Sequence, residues 1–306
     1  MRQQAEANQD RRSPNLLAGL LWTAPWWLGF LFFLAIPMSI SLYISFCDYP
    51  LLQPPVWTGG ANYAALAGDP TFHKVVFNTL RFALISIPIC TLAGIGLAVL
   101  LNQPVRGQAI FRACIFMPTI VPLVAVGVIW MWMLNPEFGL LNQPLRGPLS
   151  LVGQTPPKWL EAPGPSVAAL VLISVWLIGS PMVIYLAGLQ EIPEELYEAA
   201  RLDGANGPRR FWHVTLPGIS PVILFNIITA IIGTWQIFAL PYVIWRMREG
   251  PDRAVYFYTT YLYDNAFRYL KMGYASAMAW IQLLIILALT GLVFWVSRRR
   301  VHYRGA

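Results

Sequence analysis

The chain has 306 residues, of which 57% are hydrophobic and only 11% charged, with a mean hydropathy of +0.55 and a net charge of +7. Soluble domains carry roughly 25% charged residues, so a water-soluble globular fold is excluded. The basic excess reads as membrane topology rather than nucleic-acid binding, because no basic stripe alternates with aromatics.

In chain order, residues 1–15 read as a polar tail carrying Arg11-Arg12 ahead of the first apolar run. That run, 17–46, is too long for the apolar core of a cleaved leader, and no small-residue cleavage site follows it. It is therefore expected to remain as a first span. Five further runs can each cross about 30 Å of hydrocarbon, which takes about 20 helical residues: 76–101, 109–133, 167–189, 218–244 and 272–296. Lipid leaves backbone groups without water, and alternating strands are absent, so helices are the expected spanning elements. Pro25, Pro37, Pro88, Pro118 and Pro122 lie within the runs and are expected to kink them. Between the runs, 47–75, 134–166 and 245–271 are rich in Pro, Gly and Trp and read as ordered surface loops with short interfacial helices; helix is expected within 254–270.

An even number of spans puts both termini on one side. Assigning that side to the cytoplasm places twelve of the 21 basic residues inside, with Arg298, Arg299 and Arg300 as the tightest cluster. The fold class is thus an all-α membrane protein with six transmembrane helices and both termini cytoplasmic. Residues 1–15 form a cytoplasmic tail, 16–297 a transmembrane domain, and 298–306 a basic cytoplasmic tail. A charged loop, 191–217, lies between the fourth and fifth spans on the cytoplasmic side.

Two absences narrow the function. After Arg112, the interiors of the third to sixth spans hold no Asp, Glu, Lys or Arg, whereas ion-coupled carriers place such groups near the midplane. Arg81 is explained by snorkelling to the outer interface. No nucleophile–base pair, carboxylate pair or metal-ligand set stands out, since Cys47, Cys90, Cys114 and the three histidines are scattered. No catalytic residue and no metal are therefore expected. The lysines are Lys74, Lys158 and Lys271, and none follows a glycine, so the chain has no Walker A loop of its own.

The loop carries the most information. Pro193 suits the first turn of a helix, and Glu194 and Glu195 favour its positive dipole end. Ile192, Leu196, Ala199 and Ala200 then share one face, narrow enough to sit in a partner's groove. Gly204 and Gly207-Pro208 are expected to end that helix, and Pro208 to start a second one through Phe211 and Trp212 to Leu216-Pro217. The competing reading of this helix pattern alone is an amphipathic interfacial loop with no partner.

Glu198-Ala199-Ala200, Gly204 and Leu216-Pro217 fit the pattern EAA-x3-G-x9-I-x-LP, with Val214 where Ile is usual. This resembles the cytoplasmic loop of permease subunits in binding-protein-dependent ABC importers. IPEELYEAARLDGA, from Ile192 to Ala205, is similar to the version in carbohydrate importers of the maltose and glycerol-phosphate type. Asn62-Tyr63, Asp69-Pro70-Thr71-Phe72, Asn78-Thr79-Leu80, Arg106-Gly107, Phe111-Arg112, Gly250-Pro251 and Gly273-Tyr274 extend the resemblance along the chain. Arg246–Glu249 departs from the Thr-x-Gly-Gly-Pro stretch of relatives, which bears on contact with a binding protein.

The resemblance implies a coupling loop of Glu198, Ala199, Ala200, Asp203, Gly204, Leu216 and Pro217. It implies a second homologous permease, an ATP-binding subunit dimer that holds ATP and Mg, and an extracytoplasmic solute-binding protein. It also implies residence in a bacterial or archaeal cytoplasmic membrane and a sugar or oligosaccharide as cargo; the alternative is a glycerol phosphate, polyol or other small solute. An enzyme or a scaffold is the reading from outside this class. A sugar needs aromatic faces and hydrogen-bonding groups, and Trp235, Gln236, Thr234, Asn226 and Trp130 are the candidates along its pathway. For the tryptophans the competing reading is lipid packing or an interfacial belt, for Gln236 interhelical bonding, and the partner permease is the alternative holder of the substrate.

Overall fold

The computed structural model describes residues 16–104, 106–151, 153–246 and 249–298. The N-terminal tail and Arg299, Arg300 and the rest of the basic tail lie outside them, as do Met247 and Arg248. Among the described residues, four helices are long and apolar enough to cross a membrane: α1 (Gly19–Ser45), α3 (Pro70–Leu101), the segment Ser220–Ile244, and α14 (Met272–Ser297). Two bent pairs qualify only when each is taken as one span: α4 with a 3₁₀ turn (Gln108–Ile120) plus α5 (Leu123–Met133), and α7 (Pro163–Trp176) plus α8 (Gly179–Gln190). By length and composition the described residues therefore hold four spans, or up to six if each bent pair is one.

The bends follow from proline. In the first pair the axis turns by 101°. Pro118 and Pro122 contribute no N–H there, and Val121, preceding a proline, is extended at ψ 131°. The second pair turns by 48°. Pro181 lacks the N–H that would meet the Leu177 carbonyl, so the ladder breaks at Leu177–Ile178. In α1 the winding widens to a π turn over Leu31–Ala35, just ahead of Pro37. Of the five prolines expected to kink, Pro88 stays inside one unbroken 32-residue helix. Ser220–Ile244 divides into α11 (Ser220–Trp235) and α12 (Ala239–Ile244).

The connections are more structured than loops. Two-residue strands β1 (Cys47–Asp48) and β2 (Val56–Trp57) pair antiparallel, and α2 (Ala61–Ala67), α6 (Gln143–Leu151), α9 (Glu194–Leu202), α10 (Gly207–Arg210) and α13 (Tyr258–Tyr263) are short helices. A π turn, Asp264–Arg268, extends α13.

At one end, motif residues lace these connections together. Asn62 Nδ2 donates to the carbonyls of Ser45 (2.9 Å) and Cys47 (2.8 Å). Asp69 caps α3 by accepting from the Thr71 N–H (2.8 Å), and its other oxygen accepts from Tyr274 (2.7 Å) and Tyr261. Asn78 Nδ2 reaches the carbonyls of Arg253 (2.6 Å) and Tyr256 (3.0 Å), while Thr79 Oγ1 accepts from the Tyr258 N–H (3.0 Å). Gly273 lies where a Cβ would fall 2.0 Å from the Cys47 carbonyl oxygen, so only glycine lets α14 approach β1. At the opposite end, Leu101, Leu189, Ile192 and Ile219 share one buried cluster. Arg112 donates to the Leu101 carbonyl (3.2 Å), joined by Gln108, and closes the C-terminus of α3 with a positive charge.

Candidate functional site

The 191–219 segment is a hairpin of helical turns. α9 opens with Glu194 and Glu195 in its first turn and closes with Arg201 in its last, the charge order that suits the helix dipole. Pro193 is the N-cap, with ψ 136°, one residue ahead of the first turn where the sequence suggested it. The helix ends in a Schellman motif: the Ala205 N–H bonds the Ala200 carbonyl (2.9 Å) and the Gly204 N–H bonds that of Arg201 (3.0 Å). Gly204 occupies the left-handed position at φ +75°, and a Cβ there would meet nothing within 4 Å. The glycine of the motif is thus required by a backbone angle and not by space.

Gly207-Pro208 begins the second helix instead of ending the first. Asn206 Oδ1 accepts from the Arg209 N–H (3.1 Å), α10 starts with Pro208 in its first turn, and the chain continues as a π turn over Phe211–Thr215 and a short turn over Leu216–Gly218. Two ties hold the hairpin closed. The Tyr197 hydroxyl meets Thr215 Oγ1 at 3.0 Å, and Ile192 packs so tightly on Gly218 that a Cβ there would lie 2.8 Å from Ile192 Cδ1.

This packing splits the face expected from spacing. Ile192 is buried and precedes the helix, and Ala200 is half-buried with Tyr197. The outward face carries Leu196 (50% exposed), Glu198, Ala199 and Leu202 (90% exposed), with Trp212 (63% exposed) on the second turn. Asp203 and Gly204 are exposed beside them, while Leu216 and Pro217 are half-buried where the loop re-enters the helical body. Among the described residues, Glu198, Arg201 and Asp203 form no ion pair. Covering Leu196 and Leu202 with a partner would be worth about 1–3 kcal/mol each.

The candidates for a substrate pathway separate. Thr234 lines a cleft of about 370 Å³ between α3, α7 and α11, with Phe82, Ser86, Cys90, Ser174 and Leu177. Ser86, Ser174 and Thr234 bring hydroxyls to a wall that is otherwise mostly apolar. Gln236 is exposed at the C-cap of α11, on the same outward stripe as Phe225, Thr229 and Gly233. Trp235 is 1% exposed and stacks at a tilt on Tyr258, 5.9 Å between centroids; its carbonyl accepts from Gln282 Nε2 (2.6 Å) and Thr259 Oγ1 (2.9 Å). Asn226 is buried with its amide on the Val222 carbonyl (3.0 Å). Trp130 is buried edge-on against Trp176. In this conformation the two tryptophans and Asn226 therefore serve packing, and Thr234 and Gln236 face open space. Ser86 and Ser174, hydroxyls set among apolar residues in their runs, are a signal that points to this cleft.

The chain matches, over residues 90–302, the family described as binding-protein-dependent transport system inner membrane component. It is 37% identical over 306 residues to the probable ABC transporter permease protein YesP of Bacillus subtilis (strain 168), covering 98% of this chain and 97% of that one. It is 32% identical over 276 residues to the arabinooligosaccharides transport system permease protein AraP of the same organism, covering 89% and 86%. The fold is similar to a chain in the crystal structure of a bacterial alginate ABC transporter in complex with alginate pentasaccharide-bound periplasmic protein, with a TM-score of 0.78 at 23% identity, covering 95% of this chain and 96% of that one.

Proposed function

The chain belongs to the binding-protein-dependent transport system inner membrane component family, and from that premise we propose that it forms half of the translocation pathway for a sugar or oligosaccharide, driven by ATP hydrolysed on another chain. It is a multi-pass membrane permease subunit, a transport component and not an enzyme. Its spans number six, with both termini and the 191–217 loop on the cytoplasmic side of a bacterial or archaeal cytoplasmic membrane. The loop docks on an ATP-binding subunit that holds ATP and Mg, within a dimer of such subunits. A second homologous permease completes the pathway, and an extracytoplasmic binding protein delivers the solute.

One observation carries the coupling role: Leu196, Ala199, Leu202 and Trp212 stand outward on a hairpin closed by the Tyr197–Thr215 hydroxyl contact and the Schellman bonds at Gly204 and Ala205. Exposed apolar groups on a rigid element suit helix-in-groove docking, since little order is lost on binding. Rigidity also lets a push on the loop reach the helices attached to it as a rigid-body motion. The relative named for arabinooligosaccharide transport supports a carbohydrate cargo, as does a cleft of pocket size with three hydroxyls on an apolar wall. A glycerol phosphate, polyol or other small solute remains the second reading; the cleft lining contains no basic side chain, which favours a neutral cargo.

The test is purification of the chain in mild detergent from its native host, followed by uptake assays in proteoliposomes across a sugar panel. Co-purification of a Walker A ATPase and a second permease, with ATP-dependent uptake of a saccharide, is the expected result. Thr234→Val is expected to weaken uptake through KM with ATP hydrolysis retained. A chain that purifies alone, or an assembled complex that moves no saccharide, would overturn the assembly or the cargo respectively.

A further inference from the structure

Two helices lead from the loop toward the cleft: α11, which itself carries Thr234, and α8. Leu177, which lines the cleft, lies two residues before its start, and only residues 191–193 separate its end from α9. At its start the span turns by 48°, where Pro181 leaves the Leu177 carbonyl without a helical donor. Gly179 sits buried at this turn, against α4 and the 3₁₀ turn that follows it. A Cβ there would lie 2.7 Å from the Ile115 carbonyl oxygen, 2.9 Å from the Phe116 Cα and 2.8 Å from Thr119 Cγ2. Two of these three atoms are helix backbone, which cannot swing aside.

Contacts farther along α8 are of a different kind. A Cβ on Gly94 would meet the Tyr185 ring at 3.1 Å, and one on Gly188 would meet Val222 Cγ2 at 2.7 Å. These neighbours are side chains, a buried ring and a valine, and not backbone. So of the two glycines on α8, Gly179 abuts helix backbone and Gly188 abuts a side chain.

We propose that Gly179 is a positioning residue, the fulcrum on which α8 turns, so that displacement of the 191–217 loop moves the cleft wall at Ser174 and Leu177 as the opposite arm of a lever. This rests on the coupling role proposed above. Twelve residues of α8 span about 18 Å, so a rotation of about 15°, the size seen in rigid-body switches, carries the loop end through about 5 Å while Gly179 stays fixed. A methyl at Gly179 would part α8 from α4 and leave the lever without its bearing.

The experiment uses the complete complex in proteoliposomes and reads solute moved per ATP hydrolysed, a ratio that a lower yield of folded protein does not change. Gly179→Ala is expected to lower that ratio by about tenfold, the scale on which overpacking by one methyl shifts a close contact. An unchanged ratio overturns the fulcrum. Should Gly179→Ala fail to assemble, spin-label distances decide, measured from Cys114, the exposed native cysteine on α4. On adding ATP, the distance to Leu196→Cys is expected to change by about 5 Å and that to Val183→Cys by under about 2 Å. Equal changes at both positions mean that α8 slides as a block, and they overturn the proposal. If Gly204→Val also leaves transport coupled, the coupling role itself fails; if Gly204→Val uncouples and Gly179→Ala does not, only the fulcrum fails.

Discussion

Gly204 offers a perturbation whose cost is worked from one backbone angle. Its φ is +75°, at the left-handed position of a Schellman ending, and the space around its α-carbon is open. A side chain there meets no neighbour within the chain, so the penalty is the left-handed conformation itself, roughly 1–2 kcal/mol for an L-residue. That is enough to shift the population of the docking-competent loop about 5–30-fold. Gly204→Ala is therefore expected to reduce coupled uptake within that range. Gly204→Asn should retain more activity, because Asn tolerates the left-handed region, and Gly204→Val least, because a branched Cβ is the least suited to it. The assay is ATP-dependent uptake in proteoliposomes, with ATPase retention on the purified complex as the companion measurement. An order set by volume, with Asn as harmful as Val and Ala nearly neutral, would refute the backbone argument and point to a partner surface pressed on Gly204. A flat series would refute both.

Tyr197→Phe and Thr215→Val each remove the hydroxyl pair at 3.0 Å that closes the hairpin, costing about 0.5–1.5 kcal/mol; the double variant should be no worse than the sum in coupled uptake, and less than additive if this bond is their shared role. Asn78→Ala leaves the carbonyls of Arg253 and Tyr256 without their side-chain donor, at about 1–3 kcal/mol per unpaired buried group, and should lower the melting temperature of the detergent complex and speed proteolysis within 249–257. Burial alone would raise the Asp69 carboxyl, but hydrogen bonds from Tyr261, Tyr274 and the backbone N–H groups of Thr71 and Phe72 outweigh it and hold it below its ordinary value. Stabilisation by its ionised form is then complete above the unfolded value near about 4 and lost as pH falls through the folded one. The gap in melting temperature between wild type and Asp69→Asn should be open at neutral pH and close on acidification below about pH 4; a gap unchanged by pH would discount the carboxylate.

The apolar runs were readable because lipid imposes length and composition on each helix separately, with no reference to its neighbours. The 17–46 and 272–296 runs differ from helices α1 and α14 by only a residue or two at each end. The loop pattern was readable for a similar reason: Gly204 at the end of a helix is a local requirement, satisfied by bonds to residues three to five positions back.

Sequence alone thereby determined the membrane class, the apolar helical runs and the loop pattern that resembles the family's. It determined them through local constraints, felt by each segment in isolation. What only the tertiary structure decided depends on residues far apart meeting. Pro88 leaves α3 unbroken while Pro181, which the sequence did not single out, breaks α7 from α8 beside Gly179 and α4. Periodicity placed Ile192 and Ala200 on the outward face, and packing on Gly218 and the helical body turned them in and left Leu202 and Trp212 exposed. Trp235 looked like a ligand-stacking surface, yet burial against Tyr258 gave that opening to its neighbour Thr234. A one-residue step around a helix turns a side chain by about 100°, and which side of that step faces the cleft is set by the partners packed on the other.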